Sequence, residues 1–146
     1  MGTRSRIAMA NADGTFTSVY CHWDGYPSGV GQVLKNHYQS AAKVVALIGA
    51  GDRSSLEEEV TAGYRDARGE KDCDARSSLN FEALQVITQE IGGEYLYVFK
   101  GGHWFCAKGS SSSFGMPSDE APDFLEAIDE VLRQDAQANR ALQRSS

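Results

Sequence analysis

The amino-acid sequence predicts an α+β fold in which two antiparallel β-hairpins form one sheet packed with about four helices. Three observations carry that expectation. The steps Asp13-Gly14 and Gly101-Gly102 each lie between extended-looking runs, the pattern of a β-hairpin. Apolar residues recur at helical spacing in the stretches that begin near Val30, Ser40, Asn80 and Pro122. Glycine- and serine-rich breakers separate these runs. A chain of 146 residues has the usual length of one domain, and 41% hydrophobic with 23% charged residues is ordinary for a folded protein. Residues 1–116 read as the α+β core, and 117–146 as a C-terminal helix and polar tail that pack on that domain or extend from it.

Taken in order, Arg6–Ala10 and Thr15–Trp23 form the first hairpin. If Asp13-Gly14 is a two-residue loop, Arg6 faces Cys21 and Arg4 approaches Trp23, and period-two geometry gathers Arg4, Arg6, Cys21 and Trp23 on one face. Asp24 to Gly29 supplies turn formers, after which Val30, Val33, Leu34, His37 and Tyr38 make a helix. Ser40 caps a second helix carrying Val44, Val45, Leu47 and Ile48, stopped by Gly49 to Gly51. The stretch from Asp52 to Ser78 is charged and poor in large apolar groups, and reads as a surface loop with at most one helical turn. Asn80 caps the next helix, whose stripe is Phe81, Leu84, Ile87 and Ile91, ended by Gly92-Gly93. In the second hairpin Tyr95, Tyr97 and Phe99 lie across from Lys108, Cys106 and Trp104. A Ser/Gly-rich connector leads to the last helix, with Phe124, Leu125, Ile128, Val131 and Leu132 on one face.

A formal charge of −6 and a pI near 5.0 disfavour binding to duplex nucleic acid. Three cysteines at unpaired spacings fit neither a disulfide framework nor a zinc site, which points to a reducing compartment. No run is long enough to span a membrane and no apolar leader is visible, so a cytoplasmic protein without a membrane partner is expected. The exposed hairpin edges and the terminal helix suit a homodimer.

Several residues invite a chemical reading. His22 and Asp24 share a face at a strand end, but no third metal ligand accompanies them, and a strand-edge histidine beside a turn-opening aspartate is the default. Cys21 and His22 are neighbours on a strand and point to opposite faces, which argues against a nucleophile–base pair. Gly29 and Gly31 open a helix after a strand, where backbone N–H groups can receive an anion, yet Leu34 stands where a dinucleotide fingerprint needs its third glycine. Tyr20, Trp23, Tyr26 and Tyr38 crowd the same region, where a nucleobase can stack while Arg4 or Arg6 holds a phosphate; the same residues also read as an aromatic mini-core that pins hairpin to helix, with an arginine stacked on Trp23 for packing. Arg65 and Arg68 suit a lid over that site. The candidate ligand-binding set is therefore Arg4, Arg6, Trp23, Asp24, Tyr26, Gly29, Gly31, Arg65 and Arg68, with no catalytic residue, metal or cofactor assigned. The pattern leans toward a binding protein rather than an enzyme.

The runs Thr3-Arg4-Ser5-Arg6-Ile7, Tyr20-Cys21-His22-Trp23-Asp24-Gly25-Tyr26-Pro27 and Gly29-Val30-Gly31, with Tyr64 to Asp72 and Glu94 to Phe99, resemble a group of small proteins encoded by bacteriophages and prophages. The resemblance implies a phage accessory protein acting on host metabolism or defence in the bacterial cytoplasm, and supplies no catalytic residue. Within that class the aromatics and arginines suit a sponge for a nucleotide-derived signal, similar in idea to the anti-Thoeris proteins that sequester cyclic ADP-ribose signals. The alternative partner is a host bacterial protein, inhibited through the acidic run Asp119, Glu120, Asp123, Glu126, Asp129 and Glu130.

Overall fold

The computed structural model describes residues 3–61, 63, 74–108 and 126–127. Its strands are β1 (Ser5–Ala10), β2 (Phe16–Cys21), β3 (Arg76–Ser78), β4 (Tyr95–Lys100), β5 (His103–Lys108) and β6 (Glu126–Ala127). A π-helical turn, Pro27–Gly31, runs into α1 (Gln32–His37), followed by α2 (Ala41–Gly49) and, after β3, by α3 (Phe81–Glu90). The fold is α+β, as the sequence predicts, with differences of detail. One sheet in the order β3-β2-β1-β4-β5-β6 contains both hairpins, joined by parallel pairing of β1 with β4 and extended by a short strand at each edge.

The second hairpin has the predicted register, with Tyr97 opposite Cys106 and Phe99 opposite Trp104. Gly101 and Gly102 both take left-handed backbone conformations (φ 61° and 82°), which the tight two-residue turn requires. The first hairpin differs. Its connection is the three-residue loop Ala12-Asp13-Gly14, because Asn11 N–H donates to Thr15 O at 2.8 Å and Gly14 N–H to Asn11 O at 3.1 Å. Gly14, at φ 88°, occupies the left-handed position that such a loop needs. Asp13 Oδ1 then accepts from both the backbone N–H and the hydroxyl of Thr15. The extra loop residue moves the pairing by one, so Ser5, not Arg6, lies opposite Cys21.

Period-two alternation divides the sheet into two faces. One carries Ile7, Val19, Cys21, Tyr97, Phe99, Trp104 and Cys106 against Val30 of the π turn, Leu34 of α1 and Val44, Leu47 and Ile48 of α2. The other carries Ala8, Leu96 and Val98 against Phe81 and Leu84 of α3. Both helix starts follow the capping residues read from sequence: Ser40 Oγ accepts from Lys43 N, and Asn80 Oδ1 accepts from Ala83 N at 2.8 Å.

Two expectations are corrected. Arg76–Ser78, within the stretch read as loop, is an edge strand paired with Phe16–Ser18. Glu126–Ala127, placed by apolar spacing inside the final helix, pairs antiparallel with Cys106 and Phe105. The outer edge of β5 offers unpaired backbone groups, and a strand satisfies them where a helix cannot. The rest of the expected C-terminal helix and polar tail lies outside the described residues.

Substitutions at two glycines separate close packing from conformational freedom. A Cβ on Gly25 would meet Thr3 O at 2.6 Å and Ser5 Cβ at 2.8 Å, whereas one on Gly49 meets nothing within 4 Å. In urea denaturation Gly25→Ala is expected to cost about 1–3 kcal/mol, and Gly49→Ala to be neutral or stabilising by up to about 1 kcal/mol. Asn80→Ala should cost about 1 kcal/mol through loss of the cap on α3.

Candidate functional site

Beyond Cys21 the chain leaves β2 but keeps a partner. His22 N–H donates to Arg53 O, Trp23 N–H to Ser54 O at 2.7 Å, and Arg53 N–H to Tyr20 O at 2.9 Å, with Cys21 and Arg53 forming a parallel bridge. The chain then turns sharply at Asp24, whose φ of 58° is a left-handed conformation that aspartate tolerates better than most residues. The following loop is held from several sides. Gly25 N–H donates to Thr3 O, the Tyr97 hydroxyl donates to Gly25 O at 2.7 Å, and Val30 N–H donates to Asp24 O at 2.8 Å.

These bonds explain the glycines. A side chain on Gly29 would overlap the Asp24 carbonyl and approach the Tyr26 ring, and Gly29 N–H already donates to Tyr26 O. Gly31 is buried within the π turn. The N–H groups of Gly29 and Val30 thus serve the loop itself. Asp24 Oδ1 accepts from the Tyr26 hydroxyl at 3.1 Å, so these two candidate residues are joined. The Trp23 and Tyr26 side chains stand on this braced loop with 45% and 39% of their surface exposed.

The register of the first hairpin decides what gathers beside Trp23. With Arg6 opposite Tyr20, a one-residue slip from the two-residue-loop reading, Arg6 turns to the α3 face and Cys21 to the opposite one. The expected grouping of Arg4, Arg6, Cys21 and Trp23 on one face therefore does not form. Arg6 is 1% exposed, its Nε donates to Ser18 Oγ at 2.7 Å, and burial lowers its pKa to about 10 against the opposing pull of Asp52. It anchors the sheet to its surroundings and is not open to a ligand. Arg4 is exposed, donates through Nη1 to Ile91 O at the end of α3, and stabilises the ionised form of Tyr20 against the effect of burial.

What the structure does bring together is Arg4, Tyr20, His22 and Trp23. The Tyr20 hydroxyl and His22 Nδ1 are hydrogen-bonded at 2.5 Å, and the His22 ring meets the Trp23 ring edge-on with centroids 4.6 Å apart. Asp52 lies alongside, its Oδ1 accepting from Tyr20 N–H at 2.8 Å. Burial raises the Asp52 carboxyl above its ordinary pKa, while Tyr20 N–H, Arg6 and Arg76 oppose that rise. The arrangement is a small aromatic ledge with arginines on its flank. Tyr20 belongs to the aromatic group noted in the sequence, whereas Asp52 and Arg76 come from a segment whose spacing carries no periodic signal.

Cys21 faces away from His22 and is fully buried, and burial pushes its thiol up to about 11. Among the described residues no group of three His, Cys, Asp or Glu side chains could hold a metal ion, and no helix is long and apolar enough to cross a membrane. Arg65 and Arg68 lie outside the described residues, as does the acidic run near the C-terminus apart from Glu126, which is in β6. No family model, curated protein or solved structure matches the chain.

Two measurements follow from these environments. In a Cys73→Ser background, Cys21 and Cys106, both buried, should resist a thiol reagent at about pH 8 in the folded protein and react on unfolding. Fast reaction of either thiol in the native state would contradict the burial. For Asp52, a raised native pKa means that the folded state holds the proton more tightly, so this group's contribution to stability falls as pH rises from 3.8 through the raised value. Asp52→Asn removes that dependence, and its stability relative to the parent should improve between about pH 3 and about pH 7.

Proposed function

We propose that the protein is a phage accessory binding protein that sequesters a nucleotide-derived signal, such as a cyclic ADP-ribose-like molecule, in the cytoplasm of a bacterial host. The observation that carries this reading is the Trp23 ring, 45% exposed on a loop whose backbone is tied to Ser54, Thr3 and Tyr97. An exposed aromatic plane on a fixed backbone binds a base with little loss of conformational freedom. The His22 ring braces Trp23 from its edge, and Arg4 offers a guanidinium near Tyr20 that suits a phosphate.

Charge supports the same reading. A chain of formal charge −6 does not attract a polyanion as a whole, so it selects a small anion through a local cluster rather than a nucleic-acid backbone. Arg4, Arg6 and Arg76 all act on the groups around Tyr20 and Asp52, opposite the carboxylates of Asp52 and Asp74. Sequestration without turnover fits a site in which the nearest thiol, Cys21, is buried and protonated on the far face. The phage assignment rests on the resemblance carried by the Thr3–Ile7 and Tyr20–Gly31 runs.

Thermal unfolding against a panel of mono-, di- and cyclic nucleotides tests the proposal. A member of the panel should raise the melting temperature in a concentration-dependent way, quench tryptophan fluorescence, and be recovered unchanged after release. Trp104, only 5% exposed, serves as an internal reference for Trp23. Trp23→Ala should weaken binding by about 5- to 150-fold, the loss of about 1–3 kcal/mol of stacking, and Arg4→Ala should also weaken it. A panel without any stabilising member, or affinity indifferent to both substitutions, overturns the reading.

A further inference from the structure

The side of the sheet away from Arg4 and His22 holds a second arginine that no element of the nucleotide reading uses. Arg53 is 1% exposed, and among the described residues it is, with Arg6, one of the two largest fully buried side chains. Its Nη2 donates to the carbonyl and to the hydroxyl of Thr61, the latter at 3.1 Å. Its Nε and Nη1 are without a hydrogen-bond partner among the described residues. Ser5 Oγ, on the same interior face, is likewise buried and unpaired. Because Arg53 bridges Cys21, and Cys21 pairs with Ser5, these three residues form one row across the sheet, all pointing to the α1 and α2 side.

Burying the N–H groups of a guanidinium without acceptors is among the most costly arrangements a fold can contain. Among the described residues, the groups around it do not supply the missing acceptors. Tyr38 is buried beside it, but its hydroxyl donates to Glu57 O at 2.7 Å. The Cys21 thiol keeps its proton and lies near the carbonyls of Trp23 and Ser54. Asp52, the adjacent residue, turns its carboxylate to Tyr20 N–H instead. Glu57, Glu58 and Glu59 are exposed, with Glu58 near His37 and Glu59 near Lys43.

We infer that Arg53 is the receptor of a phosphate group, which docks on Nε and Nη1 beneath the segment from Ser54 to Thr61. A phosphate offers acceptors in several directions around one centre, so it can address N–H groups on different sides of a guanidinium. The covering segment contains neither helix nor strand; it is held to the body by bonds from Trp23 N–H, the Tyr38 hydroxyl, Lys43 Nζ and Arg53 Nη2 and by Leu56 and Val60, which pack half-buried against the core. Its displacement leaves the pairings among the six strands in place and, of the backbone bonds, breaks only that from Trp23 N–H to Ser54 O, which continues the Cys21–Arg53 bridge. This site shares the Trp23 N–H to Ser54 O bond with the Trp23 ledge, but its test is read at Arg53 and is distinguishable from the outcome there.

The Arg53 Nε–H resonance of the 15N-labelled protein reads the site directly, with its assignment made from the spectrum of Arg53→Lys. Inorganic phosphate and AMP are titrated separately against sodium chloride of equal ionic strength. A saturable shift with inorganic phosphate identifies a site for the free ion; a shift with AMP alone identifies one for a phosphate carried on a larger molecule. In parallel, the active anion should raise the melting temperature beyond the chloride control by at least a few degrees, an increase retained in Lys100→Ala and lost in Arg53→Met. If neither anion moves the Nε–H resonance, or if Arg53→Met folds and keeps the anion-dependent rise, the inference is overturned. Should Arg53→Met fail to fold, the resonance of the parent protein decides alone.

Discussion

The hydrogen bonds that close the Ala12-Asp13-Gly14 loop set the register on which the rest of the molecule depends. Gly14 takes the left-handed conformation, Asn11 pairs with Thr15, and every residue of β2 is thereby assigned to a face. A slip of one position would exchange Val19 and Cys21 of the interior with Ser18 and Tyr20. The side chains nearby reinforce the choice: Asn11 Nδ2 donates to the hydroxyls of Thr15 and Thr17, and Asp13 binds Thr15 in turn. Such local bonds are individually modest, yet each is compatible with only one register.

That register places β1 at the centre of the sheet, antiparallel to β2 and parallel to β4, with apolar groups on both of its faces. The loop from His22 to Gly31 depends on the same arrangement. Gly25 sits directly over Ser5, and its carbonyl is held by Tyr97 of β4, so the loop is anchored to strands from both hairpins. The exposure of Trp23 and Tyr26 is a consequence of this anchoring rather than of looseness, since the backbone that carries them is hydrogen-bonded at Trp23, Gly25 and Gly29.

The two buried arginines show opposite ways of placing a cation within the domain. Arg6 is paired with Ser18 on the α3 face and lies near Asp52 and Glu90, and its depressed pKa records the cost of desolvation that these contacts only partly offset. Arg53 lies on the other face and donates to Thr61, but its Nε and Nη1 are without a partner among the described residues. A guanidinium left partly unsatisfied in one place, and carefully satisfied in another, is the asymmetry expected when one serves the fold and the other serves a ligand.

Local chemistry alone was enough for much of this architecture. Gly101-Gly102 specified the second hairpin to the residue, Ser40 and Asn80 marked their helices, and Gly92, at φ 71°, ended the third helix as its position suggested. The placing of Tyr20 near Trp23 was also legible, because strand period and turn residues are short-range properties, whereas Tyr38, expected in the same group, is buried in the core with its hydroxyl on Glu57 O. The face occupied by Arg6, the pairing of Arg53 beside Cys21, and the strand at Glu126–Ala127 were not. A single loop residue reverses every side chain of a strand, and residues 32 apart, as Tyr20 and Asp52 are, meet only after the sheet has closed. A sheet edge recruits whichever segment reaches it, and apolar spacing in that segment carries no record of the edge.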